Sequence, residues 1–162
     1  MSMQLWKKID LLVVEDESPK RRHLVDAINA INADIRTTES ASVTDALNLL
    51  EDHSFDLIIL DMSLPTYSVD EVESGGRPQA FGGLEILQTM VLLEIETPVI
   101  VVTGFEAFER SGDTIDLDTL RTELEEEYGS FLRSVIHFNS VVDGWKTQLK
   151  INLEKILVEQ NT

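Results

Sequence analysis

An α/β fold, with a doubly wound five-stranded parallel sheet and helices on both faces, is predicted by three features of the chain. Five short apolar segments recur along it, each ends abruptly in polar residues, and stretches of helical period separate them. Segments this short and apolar on both faces are expected as central strands of a parallel sheet.

The first segment, 9–14 (IDLLVV), is almost continuously apolar and stops at Glu15-Asp16. The second, 33–38, is weaker, with Ile35 and Thr37 sharing a face. The third, 57–60 (LIIL), runs into Asp61, and the fourth, 99–102 (VIVV), into Thr103-Gly104. The fifth, 135–138 (VIHF), runs into Asn139-Ser140. Between the first two, Ser18-Pro19 reads as an N-cap followed by proline in the first helical turn, and Leu24, Val25, Ile28 and Ile31 supply an apolar stripe. Ser42 and Asp45 resemble a capping box ahead of Val43, Ala46, Leu47 and Leu50. The third helix carries Leu84, Leu87 and Val91, and the fourth Leu117, Leu120, Leu124 and Phe131. The last carries Trp145, Leu149, Leu153, Ile156 and Leu157. Two stretches lack a period, 66–81 and 105–116, and are expected as long loops. The whole of 1–162 reads as one domain with no output domain.

Composition narrows the function. The 162 residues suit a single domain with a two-sided core. Thirty acidic against thirteen basic residues give a formal net charge of −17, a field that repels nucleic acid phosphates and anionic lipid. No nucleic acid or membrane partner is expected. Cysteine is absent, which excludes disulfides and thiolate chemistry, and residues 1–8 lack the pattern of a secretory signal. A cytoplasmic location is expected.

Right-handed crossovers place the carboxyl ends of all strands along one edge, where ligands bind in open α/β sheets. Glu15, Asp16, Asp61 and Thr103 fall there. Converging carboxylates invite a hard divalent cation, and Mg²⁺ prefers oxygen ligands. A carboxylate beside such an ion is a competent nucleophile toward a phosphoryl group.

Four strings carry a resemblance: LLVVEDE at 11–17, LIILDMSLP at 57–65, GLEIL at 83–87 and PVIVVTG at 98–104. Together they resemble the receiver domain of bacterial two-component response regulators, a flavodoxin-like fold. The resemblance implies a stand-alone signalling module, not an enzyme beyond assisting its own phosphorylation and dephosphorylation. It implies Asp61 as phosphoacceptor and Thr103 as the hydroxyl that contacts the phosphoryl group. It further implies Mg²⁺ held by Glu15, Asp16, Asp61 and the backbone carbonyl of Ser63, with Pro65 shaping the loop after the third strand. The implied partners are a histidine kinase or phosphotransfer protein and a downstream protein target; a homodimer is left open.

Two departures stand out. The family's lysine at the end of the fifth strand is missing, its place falling at Asn139 or Ser140, and the switch aromatic at Ile136 or His137 is replaced. Arg77, Arg110, Arg133 and Lys146 are the substitutes considered for the lysine's charge. The loop after Asp61 and the segment between strands four and five are each longer than usual by about fourteen residues, a length often functional. These departures motivate an alternative reading, a phosphorylation-independent pseudo-receiver acting as a constitutive interaction module. A Mg²⁺-dependent phosphatase or nuclease is disfavoured, because the second Asp such sites need is replaced by Ser63. No P-loop is present either.

Overall fold

The computed structural model describes residues 8–31, 34–67, 81–105, 107–110 and 112–160. Strands β1 (Ile9–Val14), β2 (Ile35–Ser40), β3 (Leu57–Leu60) and β4 (Val99–Thr103) alternate with helices α1 (Ser18–Asn29), α2 (Val43–Asp52) and α3 (Gly82–Leu92). After β4 come β5 (Ala107–Arg110), β6 (Asp113–Asp116), α4 (Leu117–Tyr128), β7 (Leu132–His137) and α5 (Gly144–Gln160). The main sheet is parallel, in the order β2-β1-β3-β4-β7. This is the doubly wound order in which the crevice lies between β1 and β3.

Each central strand is apolar on both faces because both faces are covered. Leu12, Val14, Ile58, Leu60, Val99 and Val101 pack toward α2, α3 and α4. Leu11, Val13, Leu57, Ile59, Ile100 and Val102 pack toward α1 and α5. The weaker pattern of β2 has a physical reason: it is an edge strand, and five of its six residues are half-buried or exposed.

Of the α2 stripe, Val43, Ala46 and Leu50 are buried and Leu47 is half-buried, and in α5 Trp145, Leu149, Leu153, Ile156 and Leu157 are all buried. Ser42 caps α2 by accepting from the Asp45 N–H at 3.1 Å. Ser42→Ala is expected to cost about 1 kcal/mol in urea denaturation, with an unchanged midpoint as the contrary result.

Four expectations need correction. Helix α4 ends at Tyr128, so Phe131 is buried beyond it, ahead of β7, and Tyr128 completes the buried stripe of Leu120 and Leu124. The N-cap of α1 is Glu17, not Ser18, and its side chain makes no capping bond; Pro19 nonetheless lies in the first turn. The buried face of α3 is Ile86, Leu87 and Met90, while Val91 is 52% exposed, so the stripe turns by one position. The segment 105–116 is not a plain loop, since β5 and β6 pair there as an antiparallel ribbon. Most of the other expected loop, 68–80, lies outside the described residues. Among the described residues, no helix is long and apolar enough to cross a membrane.

Candidate functional site

The register of β1 against β3 sets Val14 beside Leu60, so the acidic residues that follow each strand emerge side by side. The Asp61 N–H donates to the Val14 carbonyl at 3.0 Å, and the Glu15 N–H to the Ser40 carbonyl at 2.9 Å. These bonds extend the sheet by one residue and fix the backbone from which both side chains leave. Glu15, Asp16 and Asp61 each offer a carboxylate oxygen within 4.8 Å of the others. The structure thus brings together the three acidic residues singled out in the sequence.

Glu15 is 1% exposed and Asp61 5% exposed, whereas Asp16 is half-buried. Burying carboxylates beside one another disfavours their charged forms. Burial, and next the charge of Asp61, pushes the Glu15 carboxyl up to about 8. Burial also raises Asp61, against the opposing pull of Lys20. One Asp61 oxygen accepts from the Met62 N–H at 2.9 Å, and one Glu15 oxygen from the Glu17 N–H at 3.1 Å.

The loop after β3 is held from two sides. Val43 N–H donates to the Pro65 carbonyl and Thr44 N–H to the Thr66 carbonyl, both at 3.0 Å. From the other side α3 begins directly on the loop, with the Gly83 N–H donating to the Met62 carbonyl at 2.9 Å. A Cβ at Gly83 would fall against the Asp61 carbonyl oxygen and 2.9 Å from Met62 Cα. The glycine of the GLEIL string is thereby explained: helix and loop backbone touch. Ser63 and Pro65 are buried in this loop.

Thr103 is fully buried at the end of β4, and its hydroxyl oxygen accepts from the Phe105 N–H at 3.4 Å. A cleft of about 570 Å³ opens at the same edge, lined by Glu17, Gly104, Phe105, His137, Phe138 and Asn139 among others. Phe105 belongs to the chain leading into the β5–β6 ribbon, so the second long segment borders the site.

The residue missed in the sequence is Lys20. It is 4% exposed, its ammonium meets Glu15 Oε1 and stands 3.1 Å from Asp61 Oδ1, and it donates to the Val102 carbonyl at 2.8 Å. Glu15 Oε1 receives no aligned hydrogen bond; Lys20 is its close counter-charge. A signal was available. Lys20, Leu24 and Ile28 lie four apart on the buried face of α1, which puts a lysine on an apolar stripe just after the acidic pair.

Two of the four substitutes considered for the missing lysine are accounted for elsewhere. Arg133 sits near the amino end of β7 and bonds Glu159 at 2.9 Å. Lys146 pairs with Asp143 at 3.5 Å and lies over the Trp145 ring. Arg77 and the side chain of Arg110 lie outside what is described. At the end of β7, Asn139 and Ser140 are exposed, and the Asn139 side chain accepts from the Val141 N–H at 2.8 Å. Phe138 turns inward instead, its ring 4.9 Å from Trp145 and 5.7 Å from the Lys20 ammonium.

The acidic cluster suits a hard divalent ion. Once all three are ionised, the carboxylates outnumber the one ammonium by two formal negative charges, which one divalent cation neutralises.

Comparison with known proteins places this geometry. The model of the response regulator receiver domain matches residues 11–120, about two thirds of the chain. An uncharacterized protein, y4jR of Sinorhizobium fredii, is 32% identical over 141 residues, 86% of this chain and 93% of that protein. The Detocs response regulatory protein DtcB of Enterobacter cloacae is 28% identical over 141 residues, 86% of this chain and 94% of its own. Among solved structures, the phosphorylated cyanobacterial phytochrome response regulator RcpA superposes with a TM-score of 0.64 at 16% identity, covering 96% of this chain and 98% of that one. Receiver domains are signalling modules that bind Mg²⁺ at an acidic pocket and interact with histidine kinases or phosphotransfer proteins. The match runs from β1 into α4, and Glu15, Asp16, Asp61 and Thr103 all lie inside it: the chain belongs to the response regulator receiver family.

Proposed function

We propose that the protein is a phosphoacceptor receiver in a two-component pathway, taking a phosphoryl group on Asp61 from a histidine kinase or phosphotransfer protein in the cytoplasm. The observation that carries this reading is the buried Asp61 carboxylate beside Glu15 and Asp16, their oxygens within 4.8 Å of one another at the carboxyl edge. The kinship with regulatory proteins such as DtcB and the fold shared with phosphorylated RcpA support it.

An Asp61 carboxylate oxygen attacks phosphorus of a phosphohistidine; the P–N bond breaks as the O–P bond forms, and its electron pair returns to the leaving imidazole, which takes up a proton. Glu15, Asp16, Asp61 and the Ser63 carbonyl would hold Mg²⁺. That ion supplies charge neutralisation where the phosphoryl oxygens arrive. Sheet-extending bonds hold the backbone of Asp61 and Glu15, and the N–H groups of Met62 and Glu17 orient the two carboxylates ahead of the reaction. Thr103 is the hydroxyl proposed to contact the phosphoryl group. Output is an altered surface for a protein partner. The lack of a lysine on the last strand, one ground for a phosphorylation-independent module, loses weight because α1 brings an ammonium to the same carboxylates.

The test is intact mass after incubation with Mg²⁺ and acetyl phosphate. Wild type should gain one hydroxylamine-labile phosphoryl group, and Asp61→Asn should gain none. No adduct on Mg²⁺-bound wild type, or an undiminished adduct on the variant, would overturn the assignment.

A further inference from the structure

We propose that Lys20, reaching up from the first turn of α1, is the cation that binds the phosphoryl group on Asp61 and reports its arrival to Phe138 and Trp145. The inference rests on the phosphoacceptor reading of Asp61 and adds to it a residue and a route that come from a part of the fold where no such group was expected.

Three observations converge. First, a buried lysine requires compensation, and Lys20 finds it in Glu15 and Asp61, where the oxygens of an arriving dianion would land, 3.1 Å from Asp61 Oδ1. Phosphorylation turns the single charge of Asp61 into roughly two and adds strong acceptor oxygens, so the ammonium gains a better partner within reach. Second, among the described residues the end of β7 brings no cation to this place. At the end of β7, Asn139 and Ser140 point to solvent, and Phe138 fills the interior position. Third, Lys20 is tied to the responding side of the molecule. It donates to the carbonyl of Val102, the residue before Thr103, and stands over the Phe138 ring at 5.7 Å. Phe138 in turn donates its N–H to the Thr103 carbonyl at 2.8 Å, and its ring packs, tilted by 48°, at 4.9 Å from that of Trp145, which is buried at the start of α5. An ammonium drawn toward a phosphoryl oxygen must loosen its hold on Val102 or Phe138, and both contacts lead to the face formed by β7 and α5.

The experiment compares wild type with Lys20→Met, a substitution of similar length without charge, in a Trp6→Phe background that leaves Trp145 as the sole tryptophan. Mg²⁺ affinity and beryllofluoride affinity are titrated separately, the latter at saturating Mg²⁺, with Trp145 emission and calorimetry as readouts. The expected result is Mg²⁺ affinity no weaker than wild type, beryllofluoride affinity lower by roughly tenfold or more, and loss of the Trp145 response. Equal beryllofluoride affinity in the two proteins would make Lys20 a charge-balancing strut and end the proposal. Mg²⁺ binding that appears only after Lys20 is removed would mean that the ammonium stands in the metal's place, and would also end it. Wild type that binds Mg²⁺ but no beryllofluoride would instead refute the phosphoacceptor reading of Asp61, and this inference with it. Should Lys20→Met not fold, lysine-selective ¹⁵N and ¹³C labelling of wild type decides: the buried Lys20 side-chain resonance shifts on adding beryllofluoride if the inference holds, and stays in place if it does not.

Discussion

Gly83→Ala is expected to destabilise the domain by about 2–3 kcal/mol and to weaken Mg²⁺ binding with it. Alanine ordinarily favours a helix over glycine by about 1 kcal/mol, so propensity alone predicts the opposite sign. Sterics decide, because the added methyl meets backbone that cannot rotate away. The Cβ would lie against the Asp61 carbonyl oxygen and 2.9 Å from Met62 Cα, and the Met62 sulfur is at 3.1 Å. Relief requires α3 to back off from the loop, stretching the 2.9 Å bond from the Gly83 N–H to the Met62 carbonyl. That movement displaces the backbone carrying Asp61. Gly104→Ala is the matched control, since nothing lies within 4 Å of its Cβ, and it should change stability by no more than about 0.5 kcal/mol. Urea denaturation of both variants checks the prediction, and a Gly83→Ala midpoint equal to that of wild type would refute it.

The same glycine shows what was legible in the sequence. Helices and central strands declare themselves by burial pattern, and burial is dictated locally: β3 is four apolar residues because both of its faces are covered. Acidic residues directly after such strands are legible for the same reason, since topology alone carries Glu15, Asp16 and Asp61 to one edge. Contacts between a helix and a distant loop are not written in any period. The string GLEIL marks a glycine, but its reason is the touch of Gly83 on Asp61, which only the assembled chain displays. Lys20 escaped for a related reason. A lysine in a helical stretch is ordinarily solvated, and its burial follows from the stagger of α1 over the ends of β1, β3 and β4. The ribbon of β5 and β6 escaped too, because Asp113–Asp116 is mostly exposed and carries no apolar alternation.

In the absence of divalent cation, stability should fall as pH rises from about 4.5 to about 8, and Mg²⁺ should reverse the loss. Glu15 has an ordinary value of 4.5 and is pushed up to about 8 in the folded chain, chiefly by burial and next by the charge of Asp61. Between those two values the folded state holds a proton that the unfolded state has released, so each pH unit removes about 1.4 kcal/mol at most. The full window has an upper bound of about 5 kcal/mol, and the loss is smaller than that because Lys20 and Asp61 share the charge with Glu15. Asp61 is raised by burial as well and acts with the same sign. Below about 4.5 both states are protonated at Glu15 and its contribution is complete; above 8 it is gone. A divalent ion binds the deprotonated carboxylates, so its stabilising effect should grow with pH across this interval. Thermal melts in chelator and in saturating Mg²⁺, taken from pH 5 to 8.5, should therefore diverge as pH rises. In Glu15→Gln the chelator curve should flatten, because the group that carries the proton is gone. A wild-type melting temperature that is level or rising through this range in chelator would show that Glu15 is already ionised beside Lys20, and the two uncompensated charges that make the pocket a cation site would then be stabilised by protein alone.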